Sequence, residues 1–399
     1  MVFPRVKKLK ARLLQMYNLL LDYKKTTSKF SEINWLLVVL IFGLGLVGVA
    51  MIYAATGGDW LSGARQHFYR MIFATFFMLF IAIIDLRLWY TISYPFYLVV
   101  LVLLISVDLM GVTVNGSKRW VDLQIVNYQL ARIQPSEIMK LAIVLALSRF
   151  YHDLPRWRVS SIYGLLGAFL IIFVPMFFIM RQPDLGTTLL VAATGLSIIF
   201  LAGIKWRLLA SFLIFSIISI PLFFIFGLQT YQRERILTFL DPTHDPSGAS
   251  YHIIQSKIAL GSGGFNGKGF MSGTQRQLEY VPENRTDFIF TVIGEEFGFV
   301  GSLSAIATYM VIIGICVWLS VQCKQVYSKL LILGFTITFA LYVFINLAMI
   351  MGLAPVVGVP LPLISYGGTV LLTVMTGFGL ILSAYINRDS KLPSSKFKN

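Results

Sequence analysis

The sequence predicts an all-α integral membrane protein of ten transmembrane helices, with one large extracytoplasmic loop between the seventh and the eighth. Three observations predict it. First, 57% of the 399 residues are hydrophobic, 13% are charged, and the mean hydropathy is +0.77. A soluble chain of this length cannot hide that much apolar surface. Second, the apolar residues come in uncharged blocks of roughly 18 or more, the length of a membrane span, and not in helical stripes. Third, the surplus of Lys and Arg behind the net charge of +15 gathers in the termini and in alternate short loops.

The first 33 residues form a basic segment with Arg5, Lys7, Lys8, Lys10, Arg12, Lys24, Lys25 and Lys29. It reads equally as a surface helix drawn to anionic headgroups and as a disordered tail that sets topology. No cleavage site follows it, so the first span is expected to stay in the mature protein. A single membrane domain, 34–387, then holds spans near 34–55, 68–85, 89–111, 136–151, 161–180, 186–203, 206–228, 289–319, 328–351 and 364–387. An even number places both termini on one side. Arg149, Arg156, Arg158 and Lys205 in short loops, with the basic tail 388–399, make that side cytoplasmic. The positive charge is then a topology signal, and no nucleic acid is needed to explain it.

The long outer loop, 228–289, contains the Gly-dense run 261–273. A connection of that length is functional or disordered, and its aromatics and paired charges argue against disorder. The run is not a nucleotide-binding loop, because GKG lacks the Ser or Thr and no strand precedes it. A backbone anion nest and a flexible lid both remain open. Cys316 and Cys323, two turns apart on one helix, are too distant to pair. His67, His152, His244 and His252 show no ligand spacing.

Charged residues in spans or at their mouths are costly, and so are candidate sites. Asp287, in PENRTDF (282–288), lies where the long loop enters the eighth span; Thr286 is placed to cap that helix, with Asp287 in its first turn. Asp287 is either a general base or a capping, salt-bridging carboxylate. Glu137 and Lys140, in QPSEIMK (134–140), share a helix face that Ser136 can cap. They order a substrate cavity or lock two helices. Arg119, beside Trp120, together with Arg233 and Arg235 in YQRER (231–235), suits pyrophosphate oxygens or interfacial anchoring. Asp184, in RQPDLGTT (181–188), reads first as a cap for the sixth span. Glu295 and Glu296 are neighbours in the eighth span, and at least one needs a partner.

A lone base with arginines fits glycosyl transfer from a lipid pyrophosphate better than glycoside hydrolysis. The diphosphate leaves as a stable anion, so no second carboxylate is required to protonate it. The rival readings are a transporter of the same lipid-linked sugar and a non-catalytic scaffold. No clear internal repeat supports the transporter.

Over residues 30–388 the chain resembles the SEDS family (shape, elongation, division and sporulation proteins). The resemblance rests on RWVDL (119–123), QPSEIMK (134–140), QPDLGTT (182–188), DPTHDPSGASYHIIQSKIALGSGG (241–264), GKG (267–269), GTQ (273–275), VPENRTDFIFTVIGEEFGFVG (281–301) and PVVGVPLPLISYGG (355–368). The last of these and YHIIQSKIALGSGG (251–264) look like the elongation, RodA-type branch rather than the division branch. The resemblance implies ten spans in a bacterial inner membrane. It implies a peptidoglycan glycosyltransferase that polymerises lipid II without ATP, during elongation and the maintenance of rod shape. It puts the catalytic carboxylate on Asp287, the cavity pair on Glu137 and Lys140, and the motif arginine on Arg119. Arg233 and Arg235 are candidate pyrophosphate contacts from the residues alone. The implied partners are lipid II, membrane lipid, a class B penicillin-binding protein transpeptidase and other rod-complex proteins. The family also implies a divalent cation, Mg or Mn, for which the sequence shows no dedicated cage. Three departures stand out: a stretch about three residues longer before Gln134, Ser250 where Gly is usual, and Thr369 where Ser is usual.

Overall fold

The computed structural model describes residues 29–114, 117–125, 128–182, 184–208, 230–241, 249–273 and 285–392, with residues 210, 211, 214 and 218. The chain is mostly helical. Among the described residues, seven helical stretches are long and apolar enough to cross a membrane: Trp35–Ala55, Trp60–Ile83, Leu86–Met110, Ile162–Arg181, Ile289–Gln322, Val326–Ile350 and Gly368–Ile386. In chain order the helices are α1 (Trp35–Ala55), α2 (Arg65–Ile83, entered through the short π-turn Trp60–Ala64), α3 (Leu86–Met110), α4 (Pro135–Asp153), α5 (Ile162–Arg181), α6 (Leu185–Leu201), α7 (Thr230–Leu240), α8 (Ala249–Ser262), α9 (Ile289–Gln322), α10 (Val326–Ile350) and α11 (Gly368–Ile386). Most of the expected spans match a helix to within about three residues. The second begins earlier than expected and the last later, because 361–367 is a turn. The expected span 206–228 lies largely outside the described residues.

Local chemistry sets several helix starts. Asn34 accepts from the Leu37 amide, Asp85 from Arg87, Ser161 from Gly164 and Asp184 from Thr187. Each satisfies one of the amides that a first turn leaves unpaired. Two expected caps are corrected. Ser136 does not cap α4, which starts on Pro135 after Gln134 with no side-chain cap. Thr286 does not cap α9, whose cap position is Phe288, so Asp287 lies in the turn Arg285–Phe288 ahead of the helix.

The all-α expectation misses one feature. Three strands form an antiparallel sheet, β1 (Val112–Val114), β2 (Ser117–Ile125) and β3 (Tyr128–Ile133), in the order β1-β2-β3. Val121 pairs with Ile133 and Asp122 with Arg132. Across that register Arg132 Nε donates to Asp122 Oδ1 at 2.9 Å, and the hydrogen bond holds the guanidinium charge more firmly.

α4 is the central helix. It packs on α3, α5, α6, α10 and α11, and from Pro135 to Ser148 nearly every side chain is buried. This explains its polar composition: a helix wrapped by protein needs no lipid-facing apolar surface.

The Gly-dense run is a bracket for α9 rather than a lid or an anion nest. α9 breaks at Gly298, whose φ of 64° and ψ of −154° suit glycine alone. The break frees backbone groups that need partners in an apolar setting. The run supplies them. Lys268 N and Gly269 N donate to Glu295 O and Glu296 O, and Phe299 N and Val300 N donate to Gly264 O and Phe265 O, over 2.9–3.2 Å. Lys268 Nζ also meets Glu295 Oε1 at 2.8 Å, which gives Glu295 its partner.

A methyl at Gly298 would lie 2.3 Å from Gly267 N. Gly298→Ala is therefore expected to cost about 1–3 kcal/mol or more. It should lower the thermal unfolding midpoint in detergent by several degrees. Gly314→Ala, where nothing lies within 4 Å of the added carbon, should be neutral or stabilising.

Candidate active site

Two non-helical segments meet at one end of the bundle, the turn Arg285–Phe288 and the loop 355–367. The loop's Leu361, Leu363 and Ile364 are buried to 1% exposure or less. Its carbonyls are therefore cut off from water and need donors. Tyr309 Oη donates to Pro362 O at 2.6 Å, and His67 Nε2 lies 3.3 Å from Leu363 O. Ser365 Oγ accepts from Leu361 N at 2.8 Å.

The same loop and α10 grip the turn that carries Asp287. Three successive carbonyls are held by three different donors. Tyr366 N donates to Arg285 O at 2.9 Å, Ser365 Oγ to Thr286 O at 2.5 Å, and Asn346 Nδ2 to Asp287 O at 2.7 Å. Asn346 Nδ2 reaches Val359 O as well, also at 2.7 Å. Such a turn fixes the place of the carboxylate through its main chain. Asp287 is half-buried, and the loop passes in front of it at Gly358. A carbon added at Gly358 would lie 3.5 Å from Asp287 Oδ2, and its φ of +71° suits glycine.

One residue along, Val357 lines a small cavity together with Arg119, Leu185, Gln232, Arg235, Ile236 and Pro355. Two of the three candidate arginines thus face one space beside the carboxylate's loop. Arg233 does not line it. Arg235 Nη1 donates to Val356 O at 3.1 Å. Arg119 is on β2; its Nε donates to Gln182 O at 3.0 Å, and its Nη1 lies 3.8 Å from Asp184 Oδ1. Asp184 caps α6 as expected and also accepts from Gln134 Nε2 at 3.0 Å. It therefore joins the Arg119 strand to the start of α4.

Glu137 and Lys140 are brought together, but deep in the bundle. They are 3% and 1% exposed. Lys140 Nζ donates to Glu137 Oε1 at 2.7 Å and contacts the Tyr342 hydroxyl, which donates to Glu137 Oε2 at 2.5 Å. Lys140 also lines a small apolar cleft with Phe335, Phe339, Gly377 and Phe378; Glu137 does not.

The charge-based sequence reading passed over Tyr342, Asn346, Gln134 and Ser365. Asn346 was detectable as a lone amide in the apolar run LYVFINLAMI (341–350), since intramembrane polar groups are candidates in their own right. Tyr342 resembles any other buried aromatic.

For the implied cation, no three His, Cys, Asp or Glu converge as a metal site among the described residues.

Fold and site together define a multi-pass helical membrane protein with a carboxylate held rigidly at one mouth beside a two-arginine cavity. The family model described as "Cell cycle protein", covering FtsW, RodA and SpoVE, matches residues 32–390, and the chain belongs to this family, the SEDS proteins. It is 38% identical over 368 residues to the peptidoglycan glycosyltransferase MrdB of Escherichia coli K12, covering 92% of this chain and 96% of that one. Among solved structures it resembles a chain from work on a peptidoglycan synthase complex that coordinates polymerization and crosslinking, with a TM-score of 0.75, 27% identity, and coverage of 90% and 99%. The rod-shape-determining protein RodA of Thermus thermophilus shares the fold, with a TM-score of 0.67 at 24% identity over 90% and 98% of the two chains.

The buried ion pair gives a stability test. Glu137→Gln or Lys140→Met alone leaves an uncompensated charge and is expected to cost about 3–5 kcal/mol. The double replacement should cost less than either single change. Thermal unfolding in detergent reads all three.

Proposed function

We propose that this chain is a peptidoglycan glycosyltransferase that polymerises lipid II into β-1,4 glycan strands during cell elongation. The observation that carries this is the three-point grip on the Asp287 turn, beside a cavity with two arginines, in a chain 38% identical to a protein named for that activity. The topology belonging to this reading has ten spans, with 206–228 as the seventh. Both termini are cytoplasmic, and Asp287 faces outward in a bacterial inner membrane. The basic segments 1–33 and 388–399 lie on the cytoplasmic side.

The growing strand, on its polyprenyl pyrophosphate, is the donor, and a lipid II monomer is the acceptor. Asp287 removes the proton from the acceptor's GlcNAc 4-hydroxyl. That oxygen bonds to the donor's anomeric carbon while the bond to pyrophosphate breaks, and the lipid pyrophosphate leaves as an anion. One displacement inverts an α-linked donor to a β-linked product. Arg119 and Arg235, with guanidinium forks matched to phosphate oxygens, bind the diphosphate and stabilise the charge that develops on it. Arg233 is a further candidate from the same helix. The grip on residues 285–287 holds the base in a near-attack position. The solved relative from a synthase complex supports a class B penicillin-binding protein as the crosslinking partner, with other rod-complex proteins around it.

Purified protein, alone and with its transpeptidase partner, should convert lipid II to β-1,4 glycan. Asp287→Asn, folded and still partner-bound, should be slower by about 10²–10⁴. An α-linked product would sink the single displacement. A wild type inactive under every condition would return the chain to the transporter or scaffold reading. Arg235→Lys, which keeps the charge but loses the fork, should reduce kcat/KM by about tenfold.

A further inference from the structure

α10 carries Tyr342 and Asn346 one turn apart, at positions that stack on one face of a helix. Both are buried, at 2% and 0% exposure. The upper residue works toward the mouth. Its Nδ2 donates to Asp287 O and to Val359 O, both at 2.7 Å. Two carbonyl acceptors settle which end of the amide is nitrogen. The lower residue works toward α4, where its hydroxyl donates to Glu137 Oε2 at 2.5 Å and meets the Lys140 ammonium. A continuous chain of contacts therefore runs from the Glu137–Lys140 pair, through one turn of α10, to the main chain of the candidate base and to the loop facing it.

Burial limits what the ion pair can do directly. Glu137 and Lys140 satisfy each other and Tyr342 beneath the mouth, and neither lines the cavity that holds Arg119 and Arg235. Tyr342 closes the arrangement by giving the second carboxylate oxygen a donor. The three groups lock α4 to α10 at one height, since each would otherwise be left buried and unsatisfied.

The geometry points to Tyr342 and Asn346 as positioning residues for the transfer reaction, through which the buried Glu137–Lys140 pair sets the place of Asp287 without touching substrate. This rests on Asp287 being the base of the proposed transferase. An error of about 1 Å in a reacting group costs on the order of 100-fold in rate. Losing either link is therefore expected to lower kcat while leaving substrate binding in place. The Asn346 Oδ1 atom is buried with no hydrogen-bond partner among the described residues. This defines the competing role, an amide that meets the substrate itself, and that role would raise KM.

The experiment is steady-state lipid II polymerisation by purified, full-length Tyr342→Phe, Asn346→Leu, Glu137→Gln and the Tyr342→Phe/Glu137→Gln double variant. Tyr342→Phe removes one hydroxyl and keeps the ring. Competent protein is counted by the stoichiometry of lipid II binding, so a misfolded fraction is not scored as slow chemistry. The expected result is a kcat per binding site lowered ten- to hundredfold in Tyr342→Phe and Asn346→Leu, with KM within about twofold of wild type. The double variant should be no more than about threefold slower than its slower parent, because both changes cut the same link. A raised KM with kcat intact overturns the inference in favour of substrate contact. Wild-type kcat per site in Tyr342→Phe overturns it, as do fully additive losses in the double variant. Should Asn346→Leu fail to fold, Tyr342→Phe and the cycle with Glu137→Gln decide alone. Glycan from no protein, wild type included, removes the transferase reading itself, a result distinct from all of these.

Discussion

Backbone hydrogen bonding in an apolar setting is the constraint that organises this molecule. Helices satisfy their own amides and carbonyls; turns and loops do not, and within a membrane-spanning bundle water is not there to help. Two irregular segments are nevertheless packed into one end of it, the turn 285–288 and the loop 355–367. They survive because donors reach their carbonyls: Tyr366 N and Ser365 Oγ of the loop bond to the turn, Asn346 Nδ2 of α10 bonds to both segments, and Tyr309 Oη of α9 bonds to the loop. The rigidity of the Asp287 turn follows from that requirement. A carboxylate on ordinary solvated loop backbone would have no such network to hold it.

The bracket on α9 obeys the same rule. A 34-residue helix broken at Gly298 has carbonyls and amides without partners at the break. The run 263–269 reaches them only because glycine lets two backbones approach closely. A carbon on Gly263 would fall 1.9 Å from Gly294 O, and one on Gly267 would fall 2.1 Å from Glu296 O. The density of glycine there thus reflects a docking surface between two main chains. Lys268 adds a charge partner for Glu295, whose carboxylate would otherwise be stranded in the bundle.

Buried charge is handled by closure. Glu137, Lys140 and Tyr342 satisfy one another around α4, the helix surrounded by the most neighbours. At the opposite end of the bundle two ion pairs are largely exposed. Lys324 Nζ meets Asp389 Oδ1 at 2.6 Å and by that hydrogen bond keeps the carboxyl below its usual range, while Arg388 meets Glu32 at 3.0 Å. Such pairs add little stability.

The sequence by itself determined the helical membrane class, the extent of most spans, the family motifs and the candidate carboxylate. These follow from block hydropathy, from the distribution of Lys and Arg and from local motif chemistry, all of which are properties of neighbouring residues. It also placed Asp184 correctly as a cap, because capping is settled within four residues. The tertiary structure decided everything that depends on partners distant in the chain. Thr286 and Ser136 have capping chemistry, yet the chain uses Phe288 and Gln134 as the cap positions. The sheet of β1, β2 and β3 was hidden in a loop too short and mixed to show a clear period. Arg119 and Arg235 share a cavity while Arg233 does not, which no spacing rule could foretell. Asn346 and Tyr342 carry no formal charge, so a search for costly charges passed over them. Their importance arises from where α10 delivers them: one amide between two buried carbonyls 59 and 13 residues away, and one hydroxyl on a carboxylate 205 residues away.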